Sequence, residues 1–281
     1  MNLTGFSSDK VKPREGYKDS RSESKALHDA IEAHGAGDIK NAESLYKCAI
    51  NAGCTQPVAF SNLGVIYKIT NRKEEAIACY KKALSIDPSY ADAYANLGNL
   101  LREQGQFDQA LTATLKAIGL KPDHANAQMN LGWILKEEGQ LDQAIIATQK
   151  AIELKPDNAD AYMNLGGIFK AQGLLDQAIA PMLKAIELNP NHSKAYVHLG
   201  SIEESKGDLI KGKDLFNKSL SINPNQGWAY YEISKNLTST DEAISMLNMI
   251  GGVSIATLFP QDIMFLEFAR SNCFHRLREF S

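Results

Sequence analysis

Residues 125–158 read ANAQMNLGWILKEEGQLDQAIIATQKAIELKPDN, and residues 159–192 read ADAYMNLGGIFKAQGLLDQAIAPMLKAIELNPNH. Aligned, the two share Asn130 with Asn164, Gly132 with Gly166, Ala144 with Ala178 and Pro156 with Pro190. The same 34-residue period runs outward in both directions: Gly64, Gly98, Gly132, Gly166 and Gly200. Asn-Leu precedes four of these glycines, and His198-Leu199 precedes the fifth. Three further series keep the register. They are Ala76, Ala110, Ala144, Ala178, Gly212; Ala83, Ala117, Ala151, Ala185, Ser219; and Pro88, Pro122, Pro156, Pro190, Pro224. Four series in register over five units mark an internal repeat, which decides the architecture before any local reading.

One unit can be read physically when residues 57, 91, 125, 159 and 193 are each taken as position 1. Positions 4, 7, 8 and 11 carry Phe60, Leu63, Gly64 and Tyr67 in the first unit, and Tyr162, Leu165, Gly166 and Phe169 in the fourth. That spacing is one apolar helix face. Position 15 is Asn71, Gly105, Gly139, Gly173 and Gly207, residues that tolerate the left-handed backbone closing a helix. A second helix follows, for example Leu141 to Leu154. Small residues at positions 8 and 20 let the two backbones approach. Proline at position 32 ends the second helix. A hairpin of this size cannot bury its own face, so neighbours must stack.

The pattern resembles the tetratricopeptide repeat family over roughly residues 23–250, with the consensus met most closely from 57 to 224. The resemblance implies an all-α fold, a right-handed superhelical solenoid of stacked antiparallel helix hairpins. The expected organisation is a disordered lead-in over 1–22, a degenerate repeat over 23–56, five consensus repeats over 57–226, and a degenerate repeat with an open capping helix over 227–281. In the last segment Ser239-Thr240-Asp241-Glu242 looks like a capping box, and 261–277 reads as a final helix.

Bulk properties exclude several classes. A formal charge of −3 over 281 residues gives no reason to expect nucleic acid or a polybasic membrane contact. No apolar run is long enough to span a bilayer, and the N-terminus lacks the apolar core of a signal peptide. Cytoplasm is the default compartment, with Cys48, Cys54, Cys79 and Cys273 reduced. The run Gly207 to Lys213 fits part of a phosphate-binding loop. However, Asp214 replaces the magnesium-binding hydroxyl, and both glycines are already explained by the repeat. The histidines form no catalytic or metal-binding group with a suitable partner. No metal site, cofactor or enzyme activity is expected.

What remains is the first-helix face opposite the core, positions 2, 5, 6, 9, 12 and 13. By the family resemblance this face lines the inner groove of the stack. Position 6 reads Asn62, Asn96, Asn130, Asn164 and then His198. An amide can both donate to and accept from a peptide backbone, so such a ladder suits an extended chain of any sequence. The closest resemblance is to the repeat domain of O-linked N-acetylglucosamine transferases. Against this stands the reading of a merely solvated consensus position. Position 12 reads Lys68, Arg102, Lys136 and Lys170, a cationic row that either favours an acidic ligand or pairs locally with carboxylates on the same face. Position 9 includes Asn99 and Trp133, the latter either a binding anchor or packing against the next first helix.

The expected function is therefore a scaffold holding an unidentified protein or peptide. The alternative is the substrate-recruiting repeat region of a glycosyltransferase or sulfotransferase whose catalytic part lies elsewhere. On the 261–277 helix, Met264, Phe268, Cys273 and Phe274 are expected to stay exposed, open to self-association or to docking of a further domain.

Overall fold

The computed structural model describes residues 20–253, 258 and 260–280. The expected lead-in lies outside the described residues up to position 19, but its last three residues, 20–22, already belong to a helix. The described chain is all-helical. In order the helices are α1 (Ser20–Gly35), α2 (Ile39–Asn51), α3 (Pro57–Ile69), α4 (Lys73–Ile86), α5 (Ala91–Glu103), α6 (Phe107–Leu120), α7 (Ala125–Glu137) and α8 (Leu141–Leu154). They continue as α9 (Ala159–Ala171), α10 (Leu175–Leu188), α11 (Ser193–Ser205), α12 (Leu209–Ile222), α13 (Gly227–Lys235), α14 (Thr240–Gly251) and α15 (Pro260–Phe280). They form two compact units, divided between Lys155 and Pro156. Within each unit, successive helices pair as hairpins, and each hairpin packs on the next.

The expected punctuation is in place. Gly105, Gly139, Gly173 and Gly207 have φ of 74, 75, 77 and 95°, and Asn71 takes the same turn at 61°. Each proline of the position-32 series stands two residues past the end of a second helix. The glycines at position 8 are required by close approach. A Cβ on Gly98 would lie 3.2 Å from the Ala110 carbonyl oxygen, and one on Gly200 would lie 3.0 Å from that of Gly212. The large residue received by this notch varies: Tyr80 against Gly64, Met182 against Gly166, Phe216 against Gly200.

The C-terminal end departs from the repeat. Ser239 Oγ accepts from the Glu242 N–H at 3.2 Å, as a capping box requires. The Glu242 carboxylate reaches back to the Thr238 N–H at 2.8 Å. Yet α13 is shorter than the other first helices, and it packs chiefly on α15 and only slightly on α14. The two helices run in the same direction. Gly227 N–H donates to Asp262 Oδ1 at 3.1 Å near their starts, and Asn272 Nδ2 donates to Ser234 Oγ at 3.0 Å near the end of α13. Only glycine permits this contact, because a Cβ at 227 would sit 2.2 Å from the Asp262 carbonyl oxygen. Met264, Phe268 and Phe274 are 45, 49 and 50% exposed, in line with expectation. Cys273 is not: it lies on the opposite side of α15 with Leu266 and Ala269, fully buried against α13 and α14.

Ion pairs tie helices that the repeat alone would leave loosely joined. Arg72 forks onto Glu43, Nη1 to Oε1 at 2.8 Å with a second contact from Nη2 to Oε2. Hydrogen bonding from Arg72, with Lys47 adding to it, holds the Glu43 carboxyl down to about 2 against the usual 4.5. In the second unit Lys213 does the same to Glu242, also to about 2. A carboxyl depressed on folding stabilises above its unfolded value, and that contribution disappears as pH falls through the folded one. Stability should therefore fall between about pH 4.5 and pH 2. In urea titrations across that window, Glu43→Gln should start less stable at pH 7 and show a shallower acid decline. An unchanged slope would count against the pair.

Candidate functional site

Each unit has its own first-helix face, built by α3, α5 and α7 in the first and by α9, α11 and α13 in the second. In the first unit, position 6 places Asn62, Asn96 and Asn130 on three successive first helices. The ladder does not stand open, however: Asn62 and Asn130 are 0 and 1% exposed, and Asn96 is 9%. Asn130 Nδ2 donates across to the Ala95 carbonyl oxygen of α5 at 3.1 Å. Asn62 Nδ2 donates to the Tyr46 hydroxyl at 3.0 Å, and that hydroxyl contacts His34 Nδ1 at 3.4 Å. Burial pushes His34 down to about 4, which keeps it neutral and able to accept at neutral pH. These amides tie one first helix to the hairpin before it. Asn164, on α9, is likewise fully buried, and His198, on α11, meets the Trp228 ring edge to face at 5.0 Å. The correction has a simple cause: helical periodicity identifies the side facing away from a residue's own hairpin, and the neighbouring first helix covers part of that side.

The row at position 12 lies further out. Lys68 Nζ pairs with Glu103 at 2.9 Å and Lys136 with Glu137 at 3.0 Å. Arg102 donates to Asn99 Oδ1 at 2.9 Å and lies 3.7 Å from Glu103. Lys170 donates to Ser201 Oγ. Lys68 and Lys136 thus pair with carboxylates, while Arg102 and Lys170 bond chiefly to Asn99 and Ser201. Trp133 stands half-buried among them, with Lys136 Nζ 4.3 Å and the Arg102 guanidinium 5.2 Å from its ring centre. The structure thus brings Lys68, Asn99, Arg102, Trp133 and Lys136 to one face of the first unit. In the second unit Lys170 approaches the Trp228 ring at 5.7 Å, and Phe265 of α15 stacks on that ring at 6.5 Å. Trp228, at position 2, is a second aromatic on the first-helix face that the sequence reading passed over.

Two further contacts were also missed. His124 caps α7, its Nδ1 accepting from Ala127 N–H at 3.3 Å while its Nε2 meets Asp92 Oδ1 at 2.9 Å. His192 caps α11 in the same way, against Ala195 and Asp160. Because Nδ1 accepts, the proton sits on Nε2 and donates to the aspartate. The available signal was a His 32 residues after an Asp, occurring twice, 68 residues apart. Lys213, the lysine of the loop-like run, is held by Glu242 at 2.6 Å, and Gly212 is buried in the hairpin contact. Among the described residues no group of three or more His, Cys, Asp or Glu could hold a metal ion, and no helix is long and apolar enough to cross a membrane.

Family models for tetratricopeptide repeats match residues 64–104, 95–159, 135–202 and 193–226. No curated protein matches the sequence. Among solved structures, a tetratricopeptide repeat protein from Parabacteroides merdae is 17% identical, with a TM-score of 0.67, over 90% of this chain and 99% of that one. The structure of the APC/C hetero-tetramer Cut9-Hcn1 gives 19% identity and a TM-score of 0.70 over 77% of this chain and 43% of the other. MamA is 30% identical over 57% of this chain and 94% of its own, with a TM-score of 0.46.

Proposed function

The chain belongs to the tetratricopeptide repeat family, and on that premise we propose that it is an interaction scaffold whose first-helix face holds an extended peptide. The observation that carries this reading is the cluster in the first unit: a part-exposed Trp133 held under Lys136 and Arg102, with Asn99 and Lys68 beside it. Tryptophan and arginine are the side chains that most often anchor an interface. Their cations are already paired with Glu103 and Glu137, so an acidic peptide would exchange one carboxylate for another. Neighbouring first helices stand about 10 Å apart and an extended chain advances about 3.3 Å per residue. Three helices therefore accommodate roughly seven peptide residues.

The Asn62, Asn96, Asn130, Asn164 series keeps a place in this proposal as the floor of the groove. Within the first unit that floor is Asn62, Asn96 and Asn130; Asn164 and His198 hold the same position on α9 and α11 of the second. A peptide would meet the amides only after the side chains above them part. Were this face the recruiting region of a transferase, it would present the substrate chain in the same manner. Titration calorimetry against a library of acidic and neutral peptides tests the proposal. Saturable binding by an acidic peptide that weakens with salt supports it, and no binding by any member removes it.

Burial of the amides gives an expected result of its own. Asn130→Ala removes a buried tie to Ala95, and should cost about 1 kcal/mol of stability. A thermal melt that does not move would show that the bond contributes nothing.

A further inference from the structure

Helix α15 leaves an apolar face partly exposed. Met264, Phe268 and Phe274 are each 45–50% exposed there, while Leu266, Ala269 and Cys273 occupy the opposite, buried side. At about 100° per residue, the exposed face is centred on Ser271, with Met264, His275 and Arg278 within about 40° of it. Phe268 and Phe274 flank this line on opposite sides. Glu267 lies on the Phe274 flank, towards the N-terminal half. The basic side chains of the face, His275 and Arg278, lie towards the C-terminal half. On the Phe274 flank runs a groove of about 280 Å³ between α14 and α15, lined by Leu247, Ile250, Ile263, Glu267, Arg270 and Phe274 itself.

We propose that this face pairs, antiparallel, with the same face of a second copy of the chain, about a two-fold axis crossing α15 at Ser271. The face is self-complementary in that arrangement. Antiparallel pairing about position 271 brings Met264 level with Arg278, Glu267 level with His275 and Phe268 level with Phe274 of the second copy, the last two pairs on opposite flanks. Glu267 already has Arg270 at 3.9 Å and His275 has Glu279 at 3.2 Å on its own helix, so the charge offered to the second copy is Arg278 towards Glu267, and the helix dipoles oppose. A two-fold axis perpendicular to the helix keeps each flank on its own side. The second copy's Phe274 therefore arrives on the flank of Ile263, Glu267 and Arg270, three residues that line the groove. Its Arg278 arrives within about a turn of Glu267. Serine at the crossing point lets the backbones approach. Parallel pairing would instead set Glu267 against Glu267 and Arg278 against Arg278. An isologous contact of this kind closes on itself as a dimer and does not propagate.

Sedimentation velocity on the full chain over a range of concentrations tests the proposal. The expected result is a monomer–dimer equilibrium. Arg278→Glu should weaken it about tenfold or more, because like charges then face each other. Glu267→Arg combined with Arg278→Glu should restore it, since each chain then carries the swapped pair. Phe274→Ala should also weaken the dimer while leaving helix content unchanged, because that side chain packs mainly outward. A chain that remains monomeric at every concentration overturns the proposal, as does a dimer indifferent to Arg278→Glu or one that the double variant fails to restore.

Discussion

Phe216→Ala should remove about 3–5 kcal/mol from the second unit, the usual cost of emptying a fully buried phenylalanine site. The ring is completely inaccessible and sits in one cluster with Val197, Leu220, Ala229 and Tyr230. Its Cε1 would be 2.7 Å from a Cβ on Gly200, so the ring rests directly on the glycine notch of α11. The loss should be read locally. Trp133 reports on the first unit and Trp228 on the second, and the chain has no other tryptophan. In urea the Trp228 transition should move to distinctly lower denaturant, and the Trp133 transition should move less. Coincident shifts of equal size would mean that the array unfolds as one cooperative body. Gly200→Val fills the same notch from the other side and should also destabilise. Adding it to Phe216→Ala should cost less than the sum, because the clash with the ring is then gone while that with the Gly212 carbonyl oxygen remains.

The second large effect concerns binding. Trp133→Ala should weaken the best acidic peptide by about 2 kcal/mol, roughly thirtyfold, as expected for an aromatic anchor at the centre of an interface. Lys136→Ala should cost less, because the lysine gives up a contact with Glu137 when it turns to a ligand. Quenching or a blue shift of Trp133 fluorescence on binding, measured in a Trp228→Phe background, gives the direct readout. Equal affinity of Trp133→Ala and the parent chain would remove the anchor and, with it, the proposed position of the groove.

Much of the hairpin geometry could be read from the chain because it depends on backbone constraints that specific residues carry. The left-handed turn at Gly139, the close approach at Gly98 and the stop at Pro156 each demand a particular residue type, so their spacing fixes helix length and partner. The face was harder to read. A period of 3.6 residues shows that Asn130 points away from α8, but not that α5 supplies it with a carbonyl acceptor. The same limit explains Cys273, whose burial depends on α15 crossing α13 and α14 closely. That crossing follows from Gly227 and from the shortness of α13, neither of which belongs to the repeat. The histidine caps escaped notice because their 32-residue spacing to aspartate falls outside the 34-residue register. The charges at position 12 could be read as one row along the first helices, but their pairing depends on side-chain conformation.

Packing that joins each hairpin only to its neighbours has a consequence for how the chain comes into being. Apart from α13, which buries its face on α15, no described hairpin in either unit waits for a segment far along the sequence. Such local wiring favours fast folding, since little loop entropy is lost before contacts form. A ribosome adding about 5–20 residues per second delivers one 34-residue repeat every two to seven seconds or so. Each hairpin can therefore settle on its predecessor before the next one emerges. The order of synthesis becomes the order of assembly, and the apolar surface exposed at any moment is limited to the growing end.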